Sequence, residues 1–176
     1  MSFENLKRVR TLIMIFTIGS IYFLIEGFWR GFQNWPSLVA EVSLWMLLIG
    51  GLSGVINGKI NKSDFIRSNF NAFFQSLLFC LIVTSIEFVS GNIFSFFNIK
   101  IWGYLHLKYD WLAQISGGHI SFTFMLFWFL LAPLGYWLYD TITYRFFGVG
   151  NTYKLSEPYI QLFQFWRKPN IQGWLI

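Results

Sequence analysis

Three glutamates, Glu26, Glu41 and Glu87, fall inside stretches that are otherwise apolar enough to lie in a lipid bilayer. A carboxylate at the centre of a bilayer is disfavoured by roughly 2.5–3.5 kcal/mol on insertion scales, so such a residue is normally partnered or used. Arg30 lies four residues after Glu26, the spacing that sets two side chains on one helix face as an ion pair. His119 opens the last long apolar stretch, with Gln114 and Ser116 just before it, and Trp102 and Tyr104 stand in the connection that leads there. The expected ligand- or ion-binding set is Glu26, Glu41, Glu87, Arg30, Trp102, Tyr104, Gln114 and His119. Clustered carboxylates in a low dielectric share protons because neighbouring negative charges repel. Such a group can bind a cation, relay a proton or hold a lipid amine. The plainer reading is that a glutamate within one turn of the interface snorkels or caps a neighbouring helix, and that His119 is only the polar start of its helix.

The elements that would position these residues follow from composition. Of 176 residues, 55% are hydrophobic, 22% aromatic and 12% charged. That charged fraction is about half the usual value for a soluble domain. A water-soluble fold this small could not hide so many rings, whereas lipid solvates them. Spanning helices need roughly 20 apolar residues, and four stretches qualify, at about 11–29, 37–57, 70–91 and 120–139. The expectation is an all-α, polytopic membrane protein: a four-transmembrane-helix bundle over residues 1–150, with an aromatic outer loop between helices 3 and 4. Residues 151–176 would form a cytoplasmic tail with an interfacial helix over residues 159–166, between Pro158 and Pro169. No cleavable leader is read in the first apolar run, which lacks a small-residue cleavage site.

Orientation comes from lysine and arginine. Lys7, Arg8, Arg10, Lys59, Lys62, Arg67, Arg145, Lys154, Arg167 and Lys168 fall on one side; Arg30, Lys100 and Lys108 fall on the other. The positive-inside rule then puts both termini in the cytoplasm. In that frame the three glutamates lie about 4–6 Å inside the outer boundary, counting helical rise. Gly50, Gly54 and Gly58 repeat every four residues and are read as a helix-packing face. Ser76, Cys80, Thr84, Glu87 and Gly91 make a small and polar stripe expected to face the bundle interior. Pro133 is expected to kink the fourth span. Ile25-Glu26 with Gly31 weakly echoes Ile86-Glu87 with Gly91, a match too short to establish a duplicated two-helix unit.

Several chemistries lack their parts. The chain has no P-loop, no Gly-x-Ser-x-Gly elbow, and only two histidines, His106 and His119, without metalloprotease spacing. Nothing in it points to a cofactor or metal. The basic residues are scattered at helix ends, which argues against nucleic acid. Three functions stay open: a permease-like transport component, a scaffold or accessory subunit that binds a partner or lipid, and, least favoured, a lipid-modifying enzyme using Glu87 with His119. The expected partners are the bilayer, a separate ATPase or other membrane subunit, and a second copy of the chain.

Beyond these readings, Ile86-Glu87-Phe88-Val89-Ser90-Gly91, Ile101-Trp102-Gly103-Tyr104, Trp111-Leu112-Ala113-Gln114-Ile115 and Phe127-Trp128-Phe129-Leu130-Leu131 resemble the ABC-transporter type IV membrane protein family of small bacterial permeases. Glu26-Gly27-Phe28-Trp29-Arg30-Gly31, Ile49-Gly50-Gly51, Tyr144-Arg145-Phe146-Phe147-Gly148 and Tyr153-Lys154-Leu155 fit the same pattern. The resemblance covers roughly Thr11 to Leu155. The family loop commonly reads Trp-Asp-Tyr-Ser where this chain has Trp102-Gly103-Tyr104-Leu105, and Gly-Gln-Ile where it has Ala113-Gln114-Ile115. The resemblance implies a multi-span protein of the bacterial inner membrane, of permease type, and names no substrate; any ATPase would be a separate chain.

Overall fold

The computed structural model describes residues 3–34, 36, 37 and 42–164; among them every regular element is a helix. In chain order these are α1 (Phe3–Gln33), α2 (Leu44–Asn61), α3 (Asp64–Asn69), α4 (Ala72–Phe96), α5 (Trp111–Ile115), α6 (Phe122–Phe147) and α7 (Ser156–Phe163). Three are long and apolar enough to cross a membrane: Asn5–Phe32 within α1, Ala72–Phe96 and Phe122–Phe147. At ~1.5 Å per residue each exceeds the ~30 Å hydrocarbon core. The expected span at 37–57 corresponds to α2, which begins only at Leu44 and ends on Asn57, Lys59 and Asn61. Its last turns are polar, and it is not among those three. Residues 38–41, and with them Glu41, lie outside the described part.

By contacts the chain divides into two compact units, Met1–Val55 and Ile56–Ile176. In the first unit α1 and the start of α2 meet through glycine. A Cβ on Gly19 would land on the Leu47 carbonyl oxygen, and one on Gly51 on the Ile15 carbonyl. Close backbone approach is how helices associate in lipid, where apolar burial alone supplies little drive. The expected face of Gly50, Gly54 and Gly58 is used differently. Gly50 receives the Tyr22 ring and Gly54 the Ile18 side chain, while Gly58, in the second unit, receives the Tyr139 ring. The backbone-to-backbone contact belongs to Gly19 and Gly51, which share no spacing visible in one helix.

The second unit is built on the pair α4 and α6. Three helix starts are capped by side chains: Ser63 accepts from Ile66 N–H, Asn71 from Phe74 N–H and Ser121 from Phe124 N–H. Each cap satisfies a backbone donor that lipid could not. Phe79 and Val83 of α4 pack with Ala132 and Tyr136 of α6, with Trp128 against them. The Phe79 and Tyr136 rings meet edge-on, 5.4 Å between centroids, and the Tyr136 hydroxyl donates to the Gln75 carbonyl. The stripe of Ser76, Cys80, Thr84, Glu87 and Gly91 is buried along its whole length, as its spacing predicts. α6 runs unbroken through Pro133 and ends at Gly148, whose left-handed φ of 64° lets its N–H return to the Tyr144 carbonyl. Rings such as Phe28 (84% exposed) and Phe96 (82%) point outward, where lipid would solvate them.

The helix expected at 159–166 starts earlier, at Ser156, and Pro158 sits inside its first turn instead of bracketing it. A proline there loses nothing, because the first N–H groups of a helix have no internal acceptor. α7 packs on α4 and α6 through buried Pro158 and Leu162. Residues 165–176, including Pro169, lie outside the described part.

Replacing Gly51 by Val should destabilise the α1–α2 contact by about 1–3 kcal/mol, the usual cost of overpacking. Gly27→Ala, whose new Cβ would meet only Val42 Cγ2 at 3.7 Å, should be close to neutral. Thermal denaturation of the two variants in detergent checks both.

Candidate functional site

The segment between α4 and α6 holds four of the eight expected site residues, Trp102, Tyr104, Gln114 and His119. Its anchor is Asp110, 2% exposed. Oδ1 accepts from Ala113 N–H and Phe122 N–H, each at 3.0 Å. Oδ2 accepts from the Ser121 hydroxyl at 2.6 Å and from Thr123 N–H at 2.9 Å. One carboxylate therefore caps the start of α5 and, together with Ser121, the start of α6. Burial by itself would push this carboxyl up. The hydrogen bonds from Ser121, Thr123, Phe122 and Ala113 outweigh it and hold the group well below the ordinary carboxylate range.

Around this anchor the segment folds on itself. Trp102 Nε1 donates to the His119 carbonyl at 2.9 Å. Tyr104 N–H donates to the Gly118 carbonyl at 3.0 Å, and Gln114 Nε2 donates to the Leu107 carbonyl at 3.2 Å. Gly118 has φ +83°, and a side chain there would strike Leu105, so the turn before His119 depends on glycine. The Tyr104 ring lies 4.6 Å from that of Phe124 on α6. The His119 imidazole rests where a Cβ on Gly91 would be, with Nδ1 2.9 Å from that point.

One turn before Gly91 on α4 is Glu87, 7% exposed. Its Oε1 accepts from Trp128 Nε1 of α6 at 3.1 Å. The structure thus gathers Glu87, His119, Trp102, Tyr104 and Gln114 into the second unit. Within that unit, Trp102 and Gln114 act through backbone contacts that shape the segment. Glu26 and Arg30 lie in the first unit and form the pair expected from their spacing: Arg30 Nε stands 2.7 Å from Glu26 Oε1. Arg30 Nη2 also reaches Met46 Sδ at 3.9 Å. Glu41 falls outside the described residues.

Residue spacing pointed to neither Asp110 nor Trp128. It also passed over Asp140, because the fourth span was ended at Tyr139. α6 continues to Phe147, so Asp140 is a carboxylate within a candidate span, 5% exposed. Lys62 Nζ stands 2.8 Å from its Oδ1, and the Tyr153 hydroxyl donates to Oδ2 at 3.0 Å. Oδ1 receives the lysine charge without a well-angled hydrogen bond. Lys62 also lies 5.2 Å from the Tyr139 ring centroid. Burial first, then the neighbouring Asp140 charge, pushes the Tyr153 phenol far above its ordinary range. Trp137 Nε1 donates to the Tyr153 carbonyl at 2.9 Å, so two contacts tie residue 153 to α6. The available signal was the four-residue step from Tyr136 to Asp140, which continues the buried face of α6.

Chemically, Glu87 and Asp140, the two carboxylates within candidate spans of the second unit, differ. Asp140 is matched by a cation and a phenol, which suits a structural tie. Glu87 accepts from the neutral indole of Trp128. Comparison with protein families, curated proteins and solved structures finds no match for this chain.

Asp110→Asn replaces an acceptor by an amide that must present N–H to existing donors. It should destabilise the segment by about 2–3 kcal/mol and speed tryptic cleavage after Lys108. Because the folded Asp110 carboxyl lies below its unfolded range, its contribution is present above about pH 4 and is lost as pH falls through the folded value. The native segment should therefore stay protected at pH 5, which proteolysis across pH measures. Lys62→Met should lower stability by about 3 kcal/mol by leaving Asp140 buried without its cation, and Lys62→Met with Asp140→Leu should recover most of that loss. Thermal unfolding of the single and double variants tests the pair.

Proposed function

We propose that this chain is a permease-like component of a membrane transporter, with Glu87 as its ligand- or ion-binding carboxylate. The observation that carries the reading is a buried glutamate inside a candidate membrane span, hydrogen-bonded to the Trp128 indole. Intramembrane ionisable residues are rare because they are unfavourable, and those retained usually serve a pathway or a ligand.

In this reading α2 serves as a fourth span beside the three longer helices. Its 18 residues would cover about 27 Å, and Lys59 would reach the headgroups from its last turn. The lysine and arginine bias then sets both termini inside, so Glu87 lies near the outer face beneath the segment that carries Trp102 and Tyr104. A carboxylate beside an indole ring suits a small cation, an organic ammonium group or a proton, since aromatic faces attract cations where water is excluded. The family that the sequence motifs resemble points the same way. The chain has no P-loop, so an ATPase partner would be another chain.

In reconstituted vesicles Glu87→Gln should abolish proton- or cation-dependent flux while expression and thermal stability stay near native. Glu26→Gln, which loses its pairing with Arg30, should leave most of the flux. Native-like flux in Glu87→Gln would refute the site. A stoichiometric membrane partner isolated with no flux of any kind would instead favour an accessory subunit.

A further inference from the structure

α4 carries a polar stripe that the proposed site uses only at one end. Ser76, Cys80, Thr84, Glu87 and Gly91 are all buried. At 3.6 residues per turn they fall within an arc of about 80°. That arc borders Phe79 and Val83, which meet α6.

Hydroxyls in lipid-embedded helices usually satisfy themselves on the carbonyl one turn back. Ser85 does so, donating to the Leu81 carbonyl at 2.7 Å, and Ser90 donates to that of Ile86. Ser76 and Thr84 do not. Ser76 is 1% exposed and Thr84 8%, and neither hydroxyl has a hydrogen-bond partner among the described residues. A buried hydroxyl left unpaired is disfavoured, and here two occur on one face, two turns apart. Between them is Cys80, 1% exposed, whose thiol donates to the Leu77 carbonyl at 3.1 Å. Successive positions of such a stripe are about 6 Å apart along the axis. One water molecule with ~2.8 Å hydrogen bonds on either side spans that distance. Water also both donates and accepts, as an unpaired hydroxyl requires.

We propose that Ser76, Cys80 and Thr84 line a file of bound water molecules that leads along α4 to Glu87, and that protons reach this carboxylate through it. The water file stands on the two hydroxyls alone; its use as a proton route rests on the reading of Glu87 as the functional carboxylate. Each hydroxyl accepts a proton from one neighbour as it donates its own to the next, so no net charge rests on Ser76 or Thr84.

The single cysteine is a built-in reporter, because its S–H stretch is the only one in the chain. The protein in lipid nanodiscs is transferred to D2O and the conversion of S–H to S–D is followed by infrared spectroscopy. Exchange should finish within minutes in the native protein and slow at least tenfold in Ser76→Ala with Thr84→Val. Thr84→Val alone should give an intermediate rate and serves if the double variant folds poorly. Ser85→Ala, whose hydroxyl is already satisfied, should exchange at the native rate. An S–H band persisting for hours in the native protein overturns the proposal, as does a double variant that exchanges as fast as native or a Ser85→Ala variant slowed equally. Glu87→Gln keeps the two readings apart. Fast thiol exchange with native flux removes the Glu87 site and leaves the water file. Slow thiol exchange in the native protein, with flux lost in Glu87→Gln, removes the file and leaves the site.

Discussion

The Asp110 carboxylate collects four donors, from Ala113, Ser121, Phe122 and Thr123, and much of the second unit is referred to that one junction. The start of a helix exposes backbone N–H groups that water would normally satisfy, and in or near a bilayer that help is scarce. A single buried anion answers the need for α5 and α6 together, and the helix dipoles favour it there. With the start of α6 held, His119 is held two residues before Ser121, and Trp102 can close onto the His119 carbonyl. The Trp102 ring and the His119 backbone are therefore positioned by a contact that depends on this capped turn.

The same rule, that a polar group away from water needs a partner, sorts the remaining buried polar side chains. Asp140 is matched by Lys62 and Tyr153 and ties the segment after α6 back to the helices. Tyr136 spends its hydroxyl on the Gln75 carbonyl, joining α4 to α6 beside their shared apolar cluster. Glu87 has an indole N–H where Asp140 has a cation. The functional reading settles on Glu87 because it is buried within a candidate span and bonded to that indole. Apolar contacts add shape, but lipid competes with them on nearly equal terms, so the polar ties and the glycine contacts set which helices meet.

Much of this was legible in the chain. Periodicity located α1, α4 and α6, and a spacing of four residues foretold the Glu26–Arg30 pair and the buried stripe of α4. Both are facts about one helix, where geometry converts sequence distance directly into position. Boundaries were less legible. α6 runs past Tyr139 to Phe147, which brings Asp140 into the helix, because polar residues near an end are tolerated once Lys62 and Tyr153 arrive from elsewhere. Pro158 reads as the residue just before a helix and is a first-turn residue within it, a distinction that depends on where the helix begins and not on the proline itself.

The sequence alone determined an all-helical chain with helices long and apolar enough for a bilayer, and it determined which side chains share a face. Local backbone geometry and solvation decide those matters without reference to distant residues. Only the tertiary structure decided the partners. That Gly19 and Gly51 carry a close backbone approach, that Asp110 caps two helices, and that Glu87 meets Trp128 while Asp140 meets Lys62 all join residues from 3 to 78 positions apart in the chain. No periodicity within one element encodes such pairings, because they follow from how separate helices satisfy one another's buried polar groups and fill one another's grooves.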